Sequence, residues 1–343
     1  MVNPYPYILL FVGMVAGSAA VGVVWHVCRR KCGRKAEEAS PPRVPPRVHD
    51  DDVEQPPTDA TTTVMGELIG VGSFGRVYRG NWKGMRVAIK VMEGYDRNLV
   101  EMDVSKSLSH DNLVKVLHTT IQETGRASSS DDDNGRSMVK STLVMEYCDK
   151  GTLSGLLVDG SSSSFEFCVN IALDIARGLE YLHYHHIVHG DLKSENILLV
   201  TNESSVTGYT AKISDFGFSR RLLVGESVVC TKSIGTITHM APETMQKGLI
   251  SYASDVFSFG MIMWELVSRK PLWRNTRTLD IMDRVVNGQR PVFSDTVDPR
   301  YQALAAKCWS SQPQARPPLE RIISDLNAIR IDYSSKTVRV ETL

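Results

Sequence analysis

Residues 189 to 196 read HGDLKSEN, and the apolar run ILLV follows them directly. Such a polar stretch is either a solvated loop before a strand or a loop that carries catalytic side chains. Further along the chain, Asp215 follows a second apolar run, AKIS, so that Asp191, Asn196 and Asp215 present three oxygen donors on two loops. Hard oxygen ligands with only one or two carboxylates suit Mg²⁺ that nucleotide phosphates already hold. Asp191 is then left to accept a proton from an attacking hydroxyl.

A glycine-rich stretch, GVGSFGRV from Gly70 to Val77, precedes this region. The spacing GxGxxG alone is a weak signal, because a dinucleotide-binding turn has the same glycines between a strand and a helix. Here the runs VYRG and RVAIK continue as strands, which predicts a hairpin tip whose backbone amides can approach phosphate oxygens. Lys90 ends VAIK. A lysine in an apolar strand is costly unless it is paired, and Glu101 is a candidate partner.

The order of patterns along the chain predicts an α+β fold. From Thr63, glycine turns alternate with β-branched runs, which predicts three antiparallel strands, then a helix over 97–108 and two further strands, LVKVLHT and STLVMEYC. The run SSSDDDNGRS between those last two strands is typical of a solvated loop. After Gly151 the pattern is helical. We therefore expect a small sheet-rich part, residues 63–147, and a larger helical part, residues 148–330.

Six motifs occur in one order: GVGSFGRV, VAIK, HGDLKSEN, DFG, APE and DVFSFG. With these motifs the chain resembles the eukaryotic protein kinases over the segment 63–330. The form DLKSEN is similar to serine/threonine kinases, and LKSENILL with MAPE resembles the tyrosine-kinase-like branch of Raf-like and plant receptor-like kinases. The resemblance implies the bilobal kinase fold and transfer of the ATP γ-phosphoryl group to protein Ser/Thr hydroxyls, with ATP and Mg²⁺ as cofactors and proteins as substrates.

The resemblance also implies catalytic roles. Lys90 is expected to hold the α- and β-phosphates and to pair with Glu101. Asp191 is expected to act as the catalytic base. Lys193, two residues later, is the serine/threonine form of the loop, and Thr236 is expected to contact both Asp191 and Lys193.

The binding sites for metal and nucleotide follow from the same resemblance. Asn196 and Asp215 are expected to bind Mg²⁺. Met145 is expected to be the gatekeeper that narrows the back pocket. The full set of expected ATP-binding residues comprises the glycine-rich loop, the walls of the adenine pocket, the phosphate lysine, the gatekeeper and the hinge: Ile69, Gly70, Val71, Gly72, Ser73, Phe74, Gly75, Val77, Ala88, Lys90, Met145, Glu146, Cys148 and Leu198. Glu243 of APE is expected to pair with Arg316 in a structural role.

Three positions depart from the family pattern. Gly190 stands where an arginine usually precedes the base, so the loop lacks a cation that would pair with a phosphate on the activation segment. This predicts activity without such a phosphate, unless Arg220, Arg221 and Lys232 partly substitute for the missing cation. His239 replaces a large aromatic residue, and Ser105 is polar where an apolar residue packs. Every residue with an expected chemical role is present.

The histidines of YLHYHHIVH could suggest a metal site, but their spacing fits no zinc motif of a helix. We expect His189 to pack beneath the phenylalanine of DFG. The six cysteines form no CxxC pair, which argues against a zinc knuckle or a disulfide framework. Lysine plus arginine equals aspartate plus glutamate, 39 each, so nothing indicates binding to nucleic acid.

The N-terminal segment is predicted to anchor the chain in a membrane. Residues 5–28 form an apolar run long enough to cross a bilayer as a helix. RRKCGRK follows at once, which predicts a single-pass topology with a cytosolic kinase domain and residues 1–4 on the other side. A cleaved signal peptide is the alternative, but the basic n-region of such peptides is missing.

Gly13 and Gly17 form GxxxG within this run, which would let two helices pair as a homodimer, although glycine is also common in such helices without pairing. Cys28 and Cys32 are either sites of acylation or ordinary cysteines. Residues 29–62 are basic and then proline-rich, which indicates a stiff spacer or a PxxP ligand for an SH3-type domain. Residues 331–343 are expected to form a tail. The function is therefore either that of an active membrane-anchored kinase or that of a membrane-tethered kinase-like docking protein.

Overall fold

The computed structural model describes residues 63–72, 75–94, 104, 106–126, 137–159, 164–223, 226–230 and 235–341. The chain divides into two units after Pro57, and all described residues belong to the second. The predicted membrane segment, its glycine pair and the proline-rich linker therefore lie outside the described residues. Among the residues that are described, no helix has the length and apolar character needed to cross a bilayer.

A five-stranded antiparallel sheet forms the first part of the described region, in the order β1-β2-β3-β5-β4. Lys83 and Gly84, both at positive φ, make the two-residue turn between the second and third strands, a conformation that matches the twist of a hairpin. The prediction of three strands followed by two more is confirmed. The strands are β1 (Thr63–Gly72), β2 (Gly75–Trp82), β3 (Met85–Gly94), β4 (Val116–Arg126) and β5 (Ser137–Glu146).

The helical part follows the sheet and contains most of the buried core. Helix α4 is buried on nearly every side, and Phe257 and Phe259 are fully inaccessible to solvent. It packs against α2 and α6, and α2 in turn packs against α7. The helices are α1 (Leu153–Val158), α2 (Phe165–Tyr184), α3 (Pro242–Lys247), α4 (Tyr252–Ser268), α5 (Thr278–Val286), α6 (Pro299–Cys308) and α7 (Leu319–Glu341).

Helix α7 continues well beyond the expected end of the domain at residue 330. The ring of Tyr333 lies 5.3 Å from the ring of Phe165, and Asp332 forms an ion pair with Arg300. These contacts hold the extra turns against the helical part, so the segment expected to be a tail is helical through Glu341.

Short strand pairs position the loops of the site. β7 (Ile197–Thr201) pairs antiparallel with β8 (Tyr209–Ile213). The stretch HGDLKSEN ends where β7 begins, and the stretch that contains Asp215 begins where β8 ends. The backbone N–H of Ser214 donates to the carbonyl of Asn196 at 2.8 Å, so the two predicted loops lie side by side.

Four further short strands form two antiparallel pairs. β6 (Ile187–Val188) pairs with β9 (Arg220–Arg221), and β10 (Val229–Cys230) pairs with β11 (Leu249–Ile250). These pairs tie the chain before and after the site to the helical part. The described architecture is a sheet followed by a helical part, as the α+β prediction requires.

Candidate active site

The carboxylate of Asp191 is the centre of a compact hydrogen-bonded group. Its Oδ1 accepts a hydrogen bond of 2.7 Å from the backbone N–H of Thr236, and its Oδ2 lies 2.8 Å from Nζ of Lys193. The same Lys193 ammonium donates to Oγ1 of Thr236 at 2.5 Å. Asp191 is 7% exposed. The predicted contact of Thr236 with both Asp191 and Lys193 is present.

Asn196 connects this group to the second loop. Its Nδ2 donates to the backbone carbonyl of Asp191 at 2.8 Å, which leaves its side-chain oxygen available for another ligand. Its own backbone carbonyl accepts from both the N–H and the Oγ of Ser214, each at 2.8 Å. Asp215, the next residue, is thereby brought to the side of the Asp191 loop that carries Asn196.

Asp215 lies against Lys90 in the middle of strand β3. Nζ of Lys90 is 2.9 Å from its Oδ1, and the lysine is 7% exposed. Burial raises the pKa of Asp215, but the charge of Lys90 and its hydrogen bond outweigh burial and hold that pKa below the ordinary value. Asp215 also has a φ of 64°, a left-handed conformation that is uncommon outside glycine and is concentrated at functional sites.

The register of the sheet places the expected nucleotide residues on one face. Val77 pairs with Lys90, and Ala88 pairs with Met145. Because side chains alternate along a strand and cross-strand partners share a face, these four residues lie on the same side of the sheet. Gly72 pairs with Gly75 across the β1–β2 hairpin, which confirms that the glycine-rich stretch ends one strand and starts the next.

The chain that leaves β5 connects the sheet to the strand that holds Leu198. The N–H of Lys150 donates to the carbonyl of Leu199, and the N–H of Leu199 donates to the carbonyl of Gly151. Glu146 is held there by Nζ of Lys212 at 3.0 Å and by the N–H of Lys115 at 2.7 Å. The expected hinge, which contains Glu146 and Cys148, is therefore hydrogen-bonded to the strand that carries Leu198, the expected floor of the adenine pocket.

Cys148 lies in the same connection and is 8% exposed. Burial raises the pKa of its thiol to about 12, so the sulfur stays protonated at neutral pH and is a poor nucleophile.

The backbone directly before Asp191 is held by hydrogen bonds to a buried carboxylate. Oδ2 and Oδ1 of Asp255, which is 1% exposed, accept the backbone N–H groups of His189 and Gly190 at 2.8 and 2.9 Å. His189 Nε2 donates to the carbonyl of Ser214 at 3.0 Å, and its ring lies 5.7 Å from that of Phe216. The predicted packing of His189 against the DFG phenylalanine is present.

The sequence matches the family model described as protein tyrosine and serine/threonine kinase over residues 63–326. The chain belongs to the protein kinase family. Human mitogen-activated protein kinase kinase kinase 11 is 32% identical over 280 residues, which cover 77% of this chain and 31% of the relative. RGS domain-containing serine/threonine-protein kinase A of Dictyostelium discoideum is 34% identical over 269 residues, which cover 76% of this chain and 22% of the relative.

A third relative, named as a probable LIM domain-containing serine/threonine-protein kinase of the same amoeba, is 30% identical over 269 residues, 78% of this chain and 26% of the relative. The chain thus spans less than a third of the length of each of these kinases. What the family match establishes is the kinase domain, with its sheet part and its helical part.

At two glycines of this kinase domain, an added Cβ atom would come too close to neighbouring atoms. Gly190 has a φ of 77°, and a Cβ there would lie 3.0 Å from the carbonyl oxygen of Phe218. Glycine therefore adopts the conformation before Asp191 without strain, and an arginine would not. A Cβ on Gly235 would lie only 2.7 Å from Oδ1 of Asp191.

The expected structural pair of the kinase domain is also formed. Nη1 and Nη2 of Arg316 donate to the two carboxylate oxygens of Glu243 at 2.6 and 2.8 Å. The arginine side chain is 1% exposed. This bidentate pair links the start of α3 to the segment before α7.

Three expected site residues, Ser73, Phe74 and Glu101, lie outside the described residues. Sequence reasoning assigned no role to Asp255 or to Lys212, although both belong to the scaffold of the site. The signal for Asp255 was an acidic residue in the otherwise apolar run DVFSFG, since a buried carboxylate must accept hydrogen bonds.

Proposed function

We propose that the chain is a membrane-anchored serine/threonine protein kinase that transfers the ATP γ-phosphoryl group to protein hydroxyls. The observation that carries the proposal is the arrangement at Asp191, where Lys193 bridges the carboxylate and the hydroxyl of Thr236. The carboxylate is held at a fixed position in a buried loop. It is presented next to the metal-ligand candidates Asn196 and Asp215.

In this proposal Asp191 orients the attacking hydroxyl and accepts its proton. Lys193 carries a positive charge within 2.8 Å of Asp191, and it offsets the negative charge that gathers between the carboxylate and the transferring group. Thr236 fixes both, since its N–H and its hydroxyl bond to Asp191 and Lys193. Catalysis is then mainly positioning and charge stabilisation, as phosphoryl transfer requires.

ATP would lie against the sheet face that carries Val77, Ala88 and Met145, with Lys90 toward its α- and β-phosphates. Leu198 would form the floor of the adenine pocket. The residues present fit magnesium. Asn196 keeps a side-chain oxygen free. The described part of the chain contains no group of three or more His, Cys, Asp or Glu side chains that could hold a metal ion by themselves. Bound through phosphates and two side chains, Mg²⁺ would neutralise phosphate charge.

The test compares the purified full chain with its Asp191→Asn variant in a magnesium-dependent transfer assay on a generic protein substrate. We expect transfer to serine and threonine in the unsubstituted chain and none in the variant. The affinity for a fluorescent ATP analogue should be nearly unchanged, since the base acts on the hydroxyl and not on ATP. Lys90→Met serves as the matched variant, because it should weaken nucleotide binding as well as transfer.

Wild-type turnover in Asp191→Asn would show that the base assignment is wrong. If the unsubstituted chain transfers no phosphate, whether or not it binds the ATP analogue, the alternative function of a kinase-like docking protein is favoured.

The membrane anchor is a separate part of the proposal, and it rests on the uncharged run of residues 5–28 and the basic residues that follow. Protease added to sealed vesicles whose cytosolic face is outward should digest the kinase domain. Complete protection of the domain would contradict this topology. Pairing through Gly13 and Gly17 and docking of an SH3-type partner on the proline-rich linker stay predictions.

A further inference from the structure

A cavity of about 680 Å³ opens on the helical part, between the C-terminal half of α2, the first turn of α4 and the start of α7. None of the residues assigned to catalysis, ATP or Mg²⁺ lines it. Its volume is in the range of ligand pockets in proteins. Tyr181, His183 and Tyr184 of the stretch YLHYHHIVH supply part of its wall.

One face of α2 points into this cavity. Arg177, Glu180, Tyr181 and Tyr184 line it, and their spacing of three, four and seven residues is that of a single helix face. Tyr184 is 80% exposed. Its ring is therefore accessible to a ligand in the cavity.

Aromatic rings in tilted contact with one another lie along the cavity. The Tyr181 ring lies 4.9 Å from the ring of His110 and 4.4 Å from that of His185. The Tyr252 ring lies 4.6 Å from the ring of His183. Tyr181, Tyr184 and Tyr252 therefore bring three aromatic rings to the cavity lining.

Two carboxylates add negative charge at this site. Glu180 of α2 and Glu320 in the first turn of α7 both line the cavity. Within the part of the chain that the structure describes, neither forms an ion pair. Burial raises the pKa of Glu180, and the charge of Glu320 raises it further. The two carboxylates therefore repel each other, and a cation between them would relieve that repulsion.

The two arginines of the cavity wall are each near another carboxylate that does not line the cavity. Arg316 is committed to Glu243, and His183 Nε2 lies 3.0 Å from the buried Asp255. Burial lowers the pKa of His110, so that it is neutral at physiological pH. Arg177 lies on the same helix face as Glu180 and lowers its pKa in part, but its Nη1 is also 3.9 Å from the carboxylate of Asp174. The cavity is thus aromatic and carries a net negative charge.

We propose that this cavity binds a lysine- or arginine-bearing peptide segment of a protein partner. The cationic head would lie between Glu180 and Glu320, and the aliphatic stem would pack on the faces of Tyr181, Tyr184 and Tyr252. Rings of this kind attract a cation over their faces, while the long stems of these side chains cover apolar surface. The site is a docking surface on the back of the kinase domain, apart from the site of transfer.

The test measures fluorescence anisotropy of a labelled peptide, Gly-Ala-Arg-Ala-Arg-Ala-Gly, with the full chain. The control peptide carries citrulline at both arginine positions, which removes the charge and keeps the shape. We expect saturable binding of the arginine peptide below about 1 mM and none of the citrulline peptide. A double variant, Glu180→Gln with Glu320→Gln, should weaken binding at least ~10-fold, since it removes both attracting charges.

Two single variants make the test specific for this site. Tyr184→Ala should weaken binding several-fold, while Arg177→Gln, which removes the opposing cation, should tighten it. None of these residues belongs to the catalytic group, so the rate of phosphoryl transfer should stay at that of the unsubstituted chain and report that each variant folds.

Equal binding of the citrulline peptide, or unchanged binding by the double glutamine variant, would overturn the proposal. Tight binding of a phosphorylated peptide that is lost in Arg177→Gln would replace it with an anion site. Because anisotropy requires no catalysis, a failure here is distinct from a failure of the proposed kinase activity.

Discussion

Gly235→Ala should displace the carboxylate of Asp191, the proposed base, while the domain stays folded and still binds ATP. The added Cβ would lie 2.7 Å from Oδ1 of Asp191 and 3.3 Å from both its Cγ and the carbonyl oxygen of Gly190. The closest atom belongs to a side chain, so the carboxylate can move. When it moves, it leaves the hydrogen bond from the N–H of Thr236.

The size of the effect follows from that distance. Ordinary van der Waals contact begins at 3.4 Å, so the oxygen must retreat by roughly 0.7 Å. A misplacement of about 1 Å at a reacting group costs on the order of 100-fold in rate. We therefore expect kcat to fall by about 30-fold to 100-fold, which corresponds to ~2 to 2.7 kcal/mol. The KM for ATP should change by less than about twofold, because the nucleotide residues are untouched.

The assay is steady-state transfer to a protein substrate at varied ATP, with Gly208→Ala as the control. Gly208 has a φ of 73° and no atom within 4 Å of the position of a Cβ, so its substitution strains the backbone by about 1 to 2 kcal/mol without touching the site. The control should lower the melting temperature and keep kcat. An unchanged kcat in Gly235→Ala, with a structure that is still folded, would refute the view that the Thr236 amide places the base.

Three further outcomes are expected. Glu243→Ala should lower the free energy of unfolding by about 3–5 kcal/mol in urea denaturation, because it leaves the Arg316 charge buried and unpaired; a loss below ~1 kcal/mol would contradict this. Lys90→Met should destabilise the domain above pH 3.8 and progressively less as the pH falls below it, because the depressed pKa of Asp215 contributes stability only while the carboxylate is ionised; a stability difference that is independent of pH would exclude the pair as its source. A triple alanine variant at Ser227, Thr231 and Ser233 of the activation segment should transfer phosphate at the rate of the unsubstituted chain, because Gly190 offers no cation to a phosphate. A drop of ~100-fold in rate, or ~2.7 kcal/mol, both in this variant and in phosphatase-treated unsubstituted chain would show that a phosphate switch operates.

The grouping of the candidate site residues could be predicted because they occur in short polar runs beside apolar strands. Asp191, Lys193 and Asn196 lie within one loop, so their proximity is a matter of local chain geometry. The strands of the sheet were predicted for a similar reason, since a period of two and a two-residue turn are properties of neighbouring residues. Even the face shared by Val77, Ala88 and Lys90 follows from alternation once the hairpin register is known.

Gly190 illustrates how local sequence and tertiary structure divide the explanation. The sequence showed that a cation is missing before the base and therefore predicted a mode of control. The structure adds that the backbone has a φ of 77° at that residue and approaches the carbonyl of Phe218. The glycine thus also relieves conformational strain, which no pattern of neighbouring residues could indicate.

Contacts between distant segments were decided only by the tertiary structure. Asp255 holds the backbone of His189 and Gly190 from more than sixty positions away, and Glu180 and Glu320 line the same cavity. Propensity and periodicity report interactions within a few residues, and they carry no information about which helix ends meet. Contacts between distant helices depend on how their buried faces pack against α4, and this packing is a property of the whole chain. The sequence by itself therefore determined which groups could react, and the folded chain decided what holds them and which further surfaces they leave open.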